Sequence, residues 1–233
     1  GTVGGKIYTN NATGVTPSTL CNTVGKCVRG AGSTTAPPTQ PFPVINWDAT
    51  AKAAWEAAGY TVVTVSPDTC TNASNWIAAN ASSITTPTLL RSACTTPLDI
   101  DLTIRLKTDL AIVADGGFAA KNGADYASFD ATLRYFQLIQ PYNTPLAPTC
   151  AVDGIYFKNN ASTASIGLLL YTPCDVEFKN NSTMYGQIYS NGNVYFKQHG
   201  GVGYRPVPAF GIVGGTVASF DVDVLFKREE PSS

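Results

Sequence analysis

Short runs of alternating apolar and polar residues fill most of the chain, and several of them recur. Three stretches between Gly154 and Tyr204 align: Ile155-Tyr-Phe-Lys-Asn-Asn, Val176-Glu-Phe-Lys-Asn-Asn and Val194-Tyr-Phe-Lys-Gln-His. Each opens with apolar residues at i and i+2, which predicts a short half-buried strand. Each closes on a polar corner. A second pair repeats farther apart, Gly5-Lys-Ile-Tyr-Thr-Asn and Gly186-Gln-Ile-Tyr-Ser-Asn. Self-similarity with a period of about 20 residues is the mark of a solenoid. The pattern therefore predicts a mainly β protein, a right-handed parallel β-helix with a small α-containing insertion or cap. In such a fold Phe157, Phe178 and Phe196 form one inner stack, with Ile155, Val176 and Val194 beside it. Asn159, Asn160, Asn180 and Asn181 suit the corners, because Asn tolerates the left-handed backbone and hydrogen-bonds its own chain. The competing architecture is an antiparallel sandwich of lookalike strands. It needs hairpin turns, and the linkers offer no consistent two-residue turn except Asn191-Gly192.

Four segments follow from the same pattern. Residues 1–30 carry strand sequence and read as the first coils. Residues 31–97 read as a Pro/Thr-rich connector followed by a small α/β insertion or cap. There, Asn46 or Asp48 can start a helix over Ala49–Ala58, with Gly59 closing it. Tyr60-Thr-Val-Val-Thr-Val is a strand, and Cys70–Asn80 a second short helix. Residues 98–226 read as the main body, with strands at Leu102–Leu106, Leu110–Ala114 and Leu133–Ile139. A terminal strand alternates at Phe220, Val222 and Val224. Residues 227–233 are a solvated tail.

Composition sharpens this picture. The chain has 233 residues, a formal net charge of −1 and only 13% charged residues, against roughly 25% in an ordinary soluble domain. Uncharged polarity takes the place of charge: 28 Thr, 15 Asn and 21 Gly. A near-zero charge argues against a purely electrostatic nucleic-acid binder. A hydrophobic fraction of 44% argues against disorder. No apolar run reaches the roughly 18 residues of a membrane span, so no membrane contact is expected from this segment.

Cys21, Cys27, Cys70, Cys94, Cys150 and Cys174 read as structural disulfides of an exported protein. Six cysteines allow 15 pairings. Sequential pairing is the most economical: Cys21–Cys27, Cys70–Cys94 and Cys150–Cys174. Zinc is the alternative, but the chain has no Cys-x-x-Cys pair and one histidine. Five Asn-x-Ser/Thr sequons, at Asn11, Asn72, Asn80, Asn160 and Asn181, suit glycans in a eukaryotic secreted chain, but two of them already fall in the repeat. The chain opens directly in strand-like sequence, and an upstream export or anchor segment is expected.

Little in the sequence carries chemistry. His199 replaces an Asn at a repeat corner and reads as a corner residue. Asp99, Asp101, Asp109, Asp115, Asp125 and Asp130 are the material for a polysaccharide-active enzyme. Asp99 and Asp101 share one strand face and could bind Ca²⁺ or act as acid and base; the plainer reading is solvent-facing polarity. No cofactor motif is present. Trp47, Trp55 and Trp76 are either a carbohydrate platform or the cover over one end of the solenoid, and the cover is favoured. Tyr8, Tyr156, Tyr189 and Tyr195 each sit next to an inward residue. They are expected to point outward, as a ligand-stacking stripe for sugars or bases or as ordinary cross-strand packing.

Four stretches carry a family resemblance: Ala58-Gly-Tyr-Thr-Val-Val-Thr-Val, Thr108-Asp-Leu-Ala-Ile-Val-Ala-Asp-Gly-Gly-Phe, Gly186-Gln-Ile-Tyr-Ser-Asn-Gly-Asn-Val-Tyr-Phe and Val224-Leu-Phe-Lys-Arg-Glu. In these the chain resembles the C-terminal ectodomain of actinobacterial type IV pilus-associated proteins of the PilX-like kind. The resemblance spans most of the chain, and its motifs are structural rather than catalytic. It implies a β-helical extracellular domain of a minor or tip pilin, displayed at the cell surface. Other pilin subunits would be held through an N-terminal hydrophobic helix that this chain lacks, and adhesion to a surface glycan or to DNA is a further implication. The expected function is thus a non-enzymatic structural or adhesive protein. The alternatives are a polysaccharide lyase or hydrolase using the aspartates, and a soluble carbohydrate- or DNA-binding module.

Overall fold

A computed structural model describes residues 7–9, 27–29, 42–142, 150 and 154–208. The chain divides into two units, Gly1–Pro41 with Thr216–Ser233, and Phe42–Gly215. In the first, β1 (Ile7–Thr9) pairs in parallel with β2 (Cys27–Arg29). The Cys21–Cys27 pairing and the terminal strand at Phe220–Val224 lie outside the described residues.

The second unit begins with α1 (Ala49–Ala57), then β3 (Thr61–Thr64), α2 (Cys70–Asn80) and β4 (Thr88–Ser92). Next come β5 (Leu98–Asp99), β6 (Thr103–Leu106), β7 (Leu110–Ala114), β8 (Phe118–Ala120) and β9 (Asp125–Ser128). The strands continue with β10 (Arg134–Ile139), β11 (Ile155–Phe157), β12 (Ser162–Ala164) and β13 (Ile166–Thr172). The last four are β14 (Val176–Phe178), β15 (Thr183–Ser190), β16 (Val194–Phe196) and β17 (Gly201–Tyr204).

These strands form three sheets. Sheet one has the order β17-β15-β13-β10-β7-β4-β3, sheet two β16-β14-β11-β8-β5 and sheet three β12-β9-β6. Every pairing among the described residues is parallel. That excludes the antiparallel sandwich. From β4 to β12 the chain visits sheets one, two and three in strict rotation. Sheet one starts at Thr61, inside the stretch read as connector and insertion, so the strand body reaches back beyond the boundary expected at residue 98.

Burial explains the sequence patterns. The middle strands of sheet one, β4, β7, β10 and β13, are covered on both faces, as parallel sheets usually are. The sheet's inner face, with Leu90, Ile112, Leu138 and Leu170, belongs to the large interior cluster. On its outer face Leu89, Ala111, Val113, Ile139 and Tyr171 meet Trp55 and Tyr60. All five residues of β7 and all seven of β13 are buried, hence their unbroken apolar runs. In sheet two β11 alternates, with Ile155 and Phe157 buried and Tyr156 half-buried, while β8 and β14 are buried throughout and β16 is exposed throughout.

The helices fit their sequence signals. Asp48 caps α1 by accepting from Ala51 N at 2.8 Å, and Gly59 follows with φ +91°. An N-cap of this kind contributes about 1 kcal/mol. Helix α1 presses Trp55 onto the outside of sheet one, where Tyr60 meets its ring edge-on at 4.8 Å. Helix α2 instead lays Ala73 and Ile77 on the interior cluster, next to β4 and β5. Cys70, at its first turn, is bonded to Cys94, and Cys150 is bonded to Cys174. Both pairings agree with the sequential scheme.

Candidate functional site

The aligned repeats place their side chains in files. Ile155, Val176 and Val194 pair in register, as do Phe157, Phe178 and Phe196. The three phenyl rings stack at centroid distances of 5.3 and 5.2 Å, each 11° from parallel. Between these inner files stands an outer one. Asp99 pairs with Ala119, Ala119 with Tyr156, Tyr156 with Glu177, and Glu177 with Tyr195.

The next inward residues are Ala120, Phe157, Phe178 and Phe196, again in register. Each is followed by a lysine: Lys121, Lys158, Lys179 and Lys197. The backbone keeps them aligned, since Lys158 N donates to Ala120 O at 2.8 Å, Lys179 N to Phe157 O at 2.8 Å and Lys197 N to Phe178 O at 2.7 Å. Four of the chain's nine lysines therefore stand in one file. Lys121, Lys158 and Lys197 are exposed. The Lys158 ammonium lies 5.6 Å from the Tyr156 ring centroid, and that of Lys197 5.5 Å from Tyr195. Glu177, nearly buried, is ion-paired to both Lys179 and Lys197. Among the described residues Lys121 and Lys158 enter no ion pair.

Past the lysines the chain turns a corner built of amides. Asn159 Nδ2 donates to Lys121 O at 2.6 Å, and Asn180 Nδ2 to Asn159 Oδ1 at 2.5 Å. Asn160, Asn180, Asn181, Gln198 and His199 all have φ between 46° and 68°. This is the left-handed region, where Asn is the least strained non-glycine residue. His199 takes part in this corner, in the place the repeat assigns to it.

The structure divides the four predicted tyrosines. Tyr156 and Tyr195 share the outer file of sheet two, with Glu177 between them. Tyr189 lies on sheet one, paired to Tyr171, and packs against the outer cluster. Its burial raises its phenol pKa, with Tyr204 adding to the effect. Tyr8 pairs with Val28 in the other unit, and its side chain lies outside the described residues. Of the three described in the second unit, Tyr156 and Tyr195 share one file and Tyr189 stands apart. Tyr185 and Tyr204, 48% and 60% exposed on β15 and β17, were not singled out by the sequence pattern. A Cβ on Gly203 would collide with the Tyr185 ring, and Arg205 stacks over that ring at 5.2 Å.

The tryptophans divide as well. Trp76 packs against the interior cluster, whereas Trp47 and Trp55 belong to the outer face of sheet one. Trp76 thus lies on the interior side, apart from Trp47 and Trp55.

The aspartates are tied into the fold. Asp99 and Asp101 flank buried Ile100 on one face, as their spacing predicts. Asp99 Oδ1 accepts from Asp101 N at 3.0 Å, while Asp101 accepts from Asn122 N and Nδ2 at 2.9 and 3.1 Å. Asp109 accepts from Tyr135 N at 2.8 Å. Asp115 is paired with Arg91 at 2.7 Å in a largely buried contact. Asp125 is paired with Arg105. Asp130 accepts from Thr132 N, which, with Ser128 and Arg134, lowers its pKa. Among the described residues no three His, Cys, Asp or Glu side chains form a group able to hold a metal ion. No described helix is long and apolar enough to cross a membrane.

Neither family models, curated proteins nor solved structures gave a match to the chain.

Proposed function

We propose that the chain is a displayed, non-enzymatic scaffold: the extracellular part of a pilus-associated minor or tip pilin, built as a right-handed parallel β-helix. One observation carries the reading. The strands rotate through three all-parallel sheets and stack like side chains on like, with Phe157, Phe178 and Phe196 as the inner example. A chain wound in this way stacks one coil on the next and presents long, regular outer faces. Two disulfides, each spanning 24 residues, suit an oxidising compartment outside the cytoplasm.

The aspartates favour this reading over a polysaccharide-cleaving enzyme. Such an enzyme needs two carboxylates free to face one glycosidic bond. Here Asp99 and Asp101 are engaged by backbone and by Asn122, and buried Asp115 is held by half-buried Arg91. The pilus reading itself rests on the resemblance of the four quoted stretches.

Immunogold electron microscopy with antibodies raised against this chain tests it. Label along or at the tips of pilus fibres is the expected result. Label confined to the cell wall or the medium, with fibres bare, overturns it.

A further inference from the structure

We infer that the lysine file of sheet two, with its flanking tyrosines, is a docking strip for a linear acidic polysaccharide. Adjacent strands lie about 4.8 Å apart, so the four lysine backbones are set at that step. That step lies within the roughly 8 Å screening length of physiological salt, so like charges carried on neighbouring strands repel one another. Glu177 is the counter-charge inside the strip, and it serves two of the four lysines. Lys121 and Lys158 have no anionic partner among the described residues. In a chain with a net charge of −1, this is a local and regular row of cations with one counter-charge, Glu177, inside it. Strand register fixes the spacing of the four lysine backbones, while each side chain still loses rotamer freedom when a ligand arrives.

The best complement is a polymer with carboxylates recurring at a short step and hydroxyls between them. Nucleic acid fits less well. Strand-binding proteins stack bases on open aromatic faces, and here an ammonium already sits over Tyr156 and over Tyr195. The strip also has a defined end. Asp99 and Asp101 precede Lys121 in the same two files and repel a polyanion there. The inference stands on strand register alone and goes beyond the pilus reading. It holds whether or not the fibres carry label.

Isothermal titration with polygalacturonate oligomers at low and at physiological salt tests it, with dextran, single-stranded DNA and duplex DNA as comparison ligands. Polygalacturonate should bind, and bind less tightly as salt rises, while dextran should not bind. The Lys121→Gln/Lys158→Gln variant should lose about tenfold in affinity at an unchanged melting temperature. Glu177→Gln should gain affinity, an outcome that no folding defect produces. If the double variant melts early, Lys121→Gln alone carries the comparison. Wild-type affinity in the lysine variants, equal binding of dextran, tighter binding of DNA, or no binding of polygalacturonate at low salt each overturns the inference.

Discussion

Phe157 and Phe178 lie face to face, 5.3 Å between centroids and 11° from parallel. Both are about 1% exposed, whereas Phe196, next in the stack, is 43% exposed. Burial therefore grades along one file of identical residues. Phe178→Ala should cost about 3–5 kcal/mol, the usual range for a fully enclosed phenyl ring. Phe196→Ala should cost less than half of that. Urea unfolding of the two variants gives the comparison, and equal losses would show that the stack does not end at Phe196.

Cys70–Cys94 ties the first turn of α2 to the chain leaving β4, closing a loop of 24 residues. By the chain-entropy account such a link stabilises by about 3 kcal/mol. Cys70→Ser/Cys94→Ser should lower the melting temperature by several degrees. Amide hydrogen exchange should rise first in α2, because Ala73 and Ile77 are its anchor to the interior.

Alkaline pH should unfold the protein. Burial pushes the Tyr171 phenol up to about 12 and raises Tyr126 and Tyr60 as well. An unfolded tyrosine titrates near 10. Stability from these groups is complete below that value and is lost as pH rises through the folded pKa values. Tyr171 also donates to Pro43 O and accepts from Ile45 N, both at 2.8 Å. Tyr171→Phe should therefore cost about 1–2 kcal/mol at neutral pH, and stability should fall less steeply between pH 10 and 12.

The left-handed corners can be tested directly. Asn181 has φ 62°. Asn181→Gly should be nearly neutral, whereas Asn181→Val should cost at least about 1–2 kcal/mol. Thermal melts of the two variants decide it, and equal effects would place the corner outside the left-handed region.

Asp115 and Arg91 form a largely enclosed pair, whereas Asp130 and Arg134 are more open. Asp115→Ala should cost about 3 kcal/mol by leaving Arg91 uncompensated, and Asp130→Ala far less. Denaturant midpoints of both variants give the answer.

The repeat was legible because its strands set apolar residues at i and i+2 on the inner side of sheet two. Ile155, Phe157, Val176 and Phe178 alternate with outward residues, and identical corners follow them. Strand β4 was harder to read. Thr88–Ser92 is buried on both faces, and a short apolar run carries no period to separate strand from helix. Sheet three was obscured for the opposite reason. Thr103, Asp125 and Ser162 pair in register, but Asp125–Ser128 and Ser162–Ala164 are too short and polar to announce strands. The outward tyrosines were recognisable one by one. Their grouping was not, because Tyr156 and Tyr189 occupy different sheets and only the winding decides that. The lysine file was visible as three aligned letters; its fourth member, Lys121, follows Ala120, which carries none of the aligned motif.

Each described strand of sheet two hydrogen-bonds only to the strands directly before and after it in that sheet. Its ladder partners are thus the preceding and following strands of that sheet, and strands farther along do not touch it through the ladder. Length can then change in quanta. Removing or duplicating one strand of each sheet together should leave every remaining file in step, while deleting a single residue inside a strand turns the inner file outward.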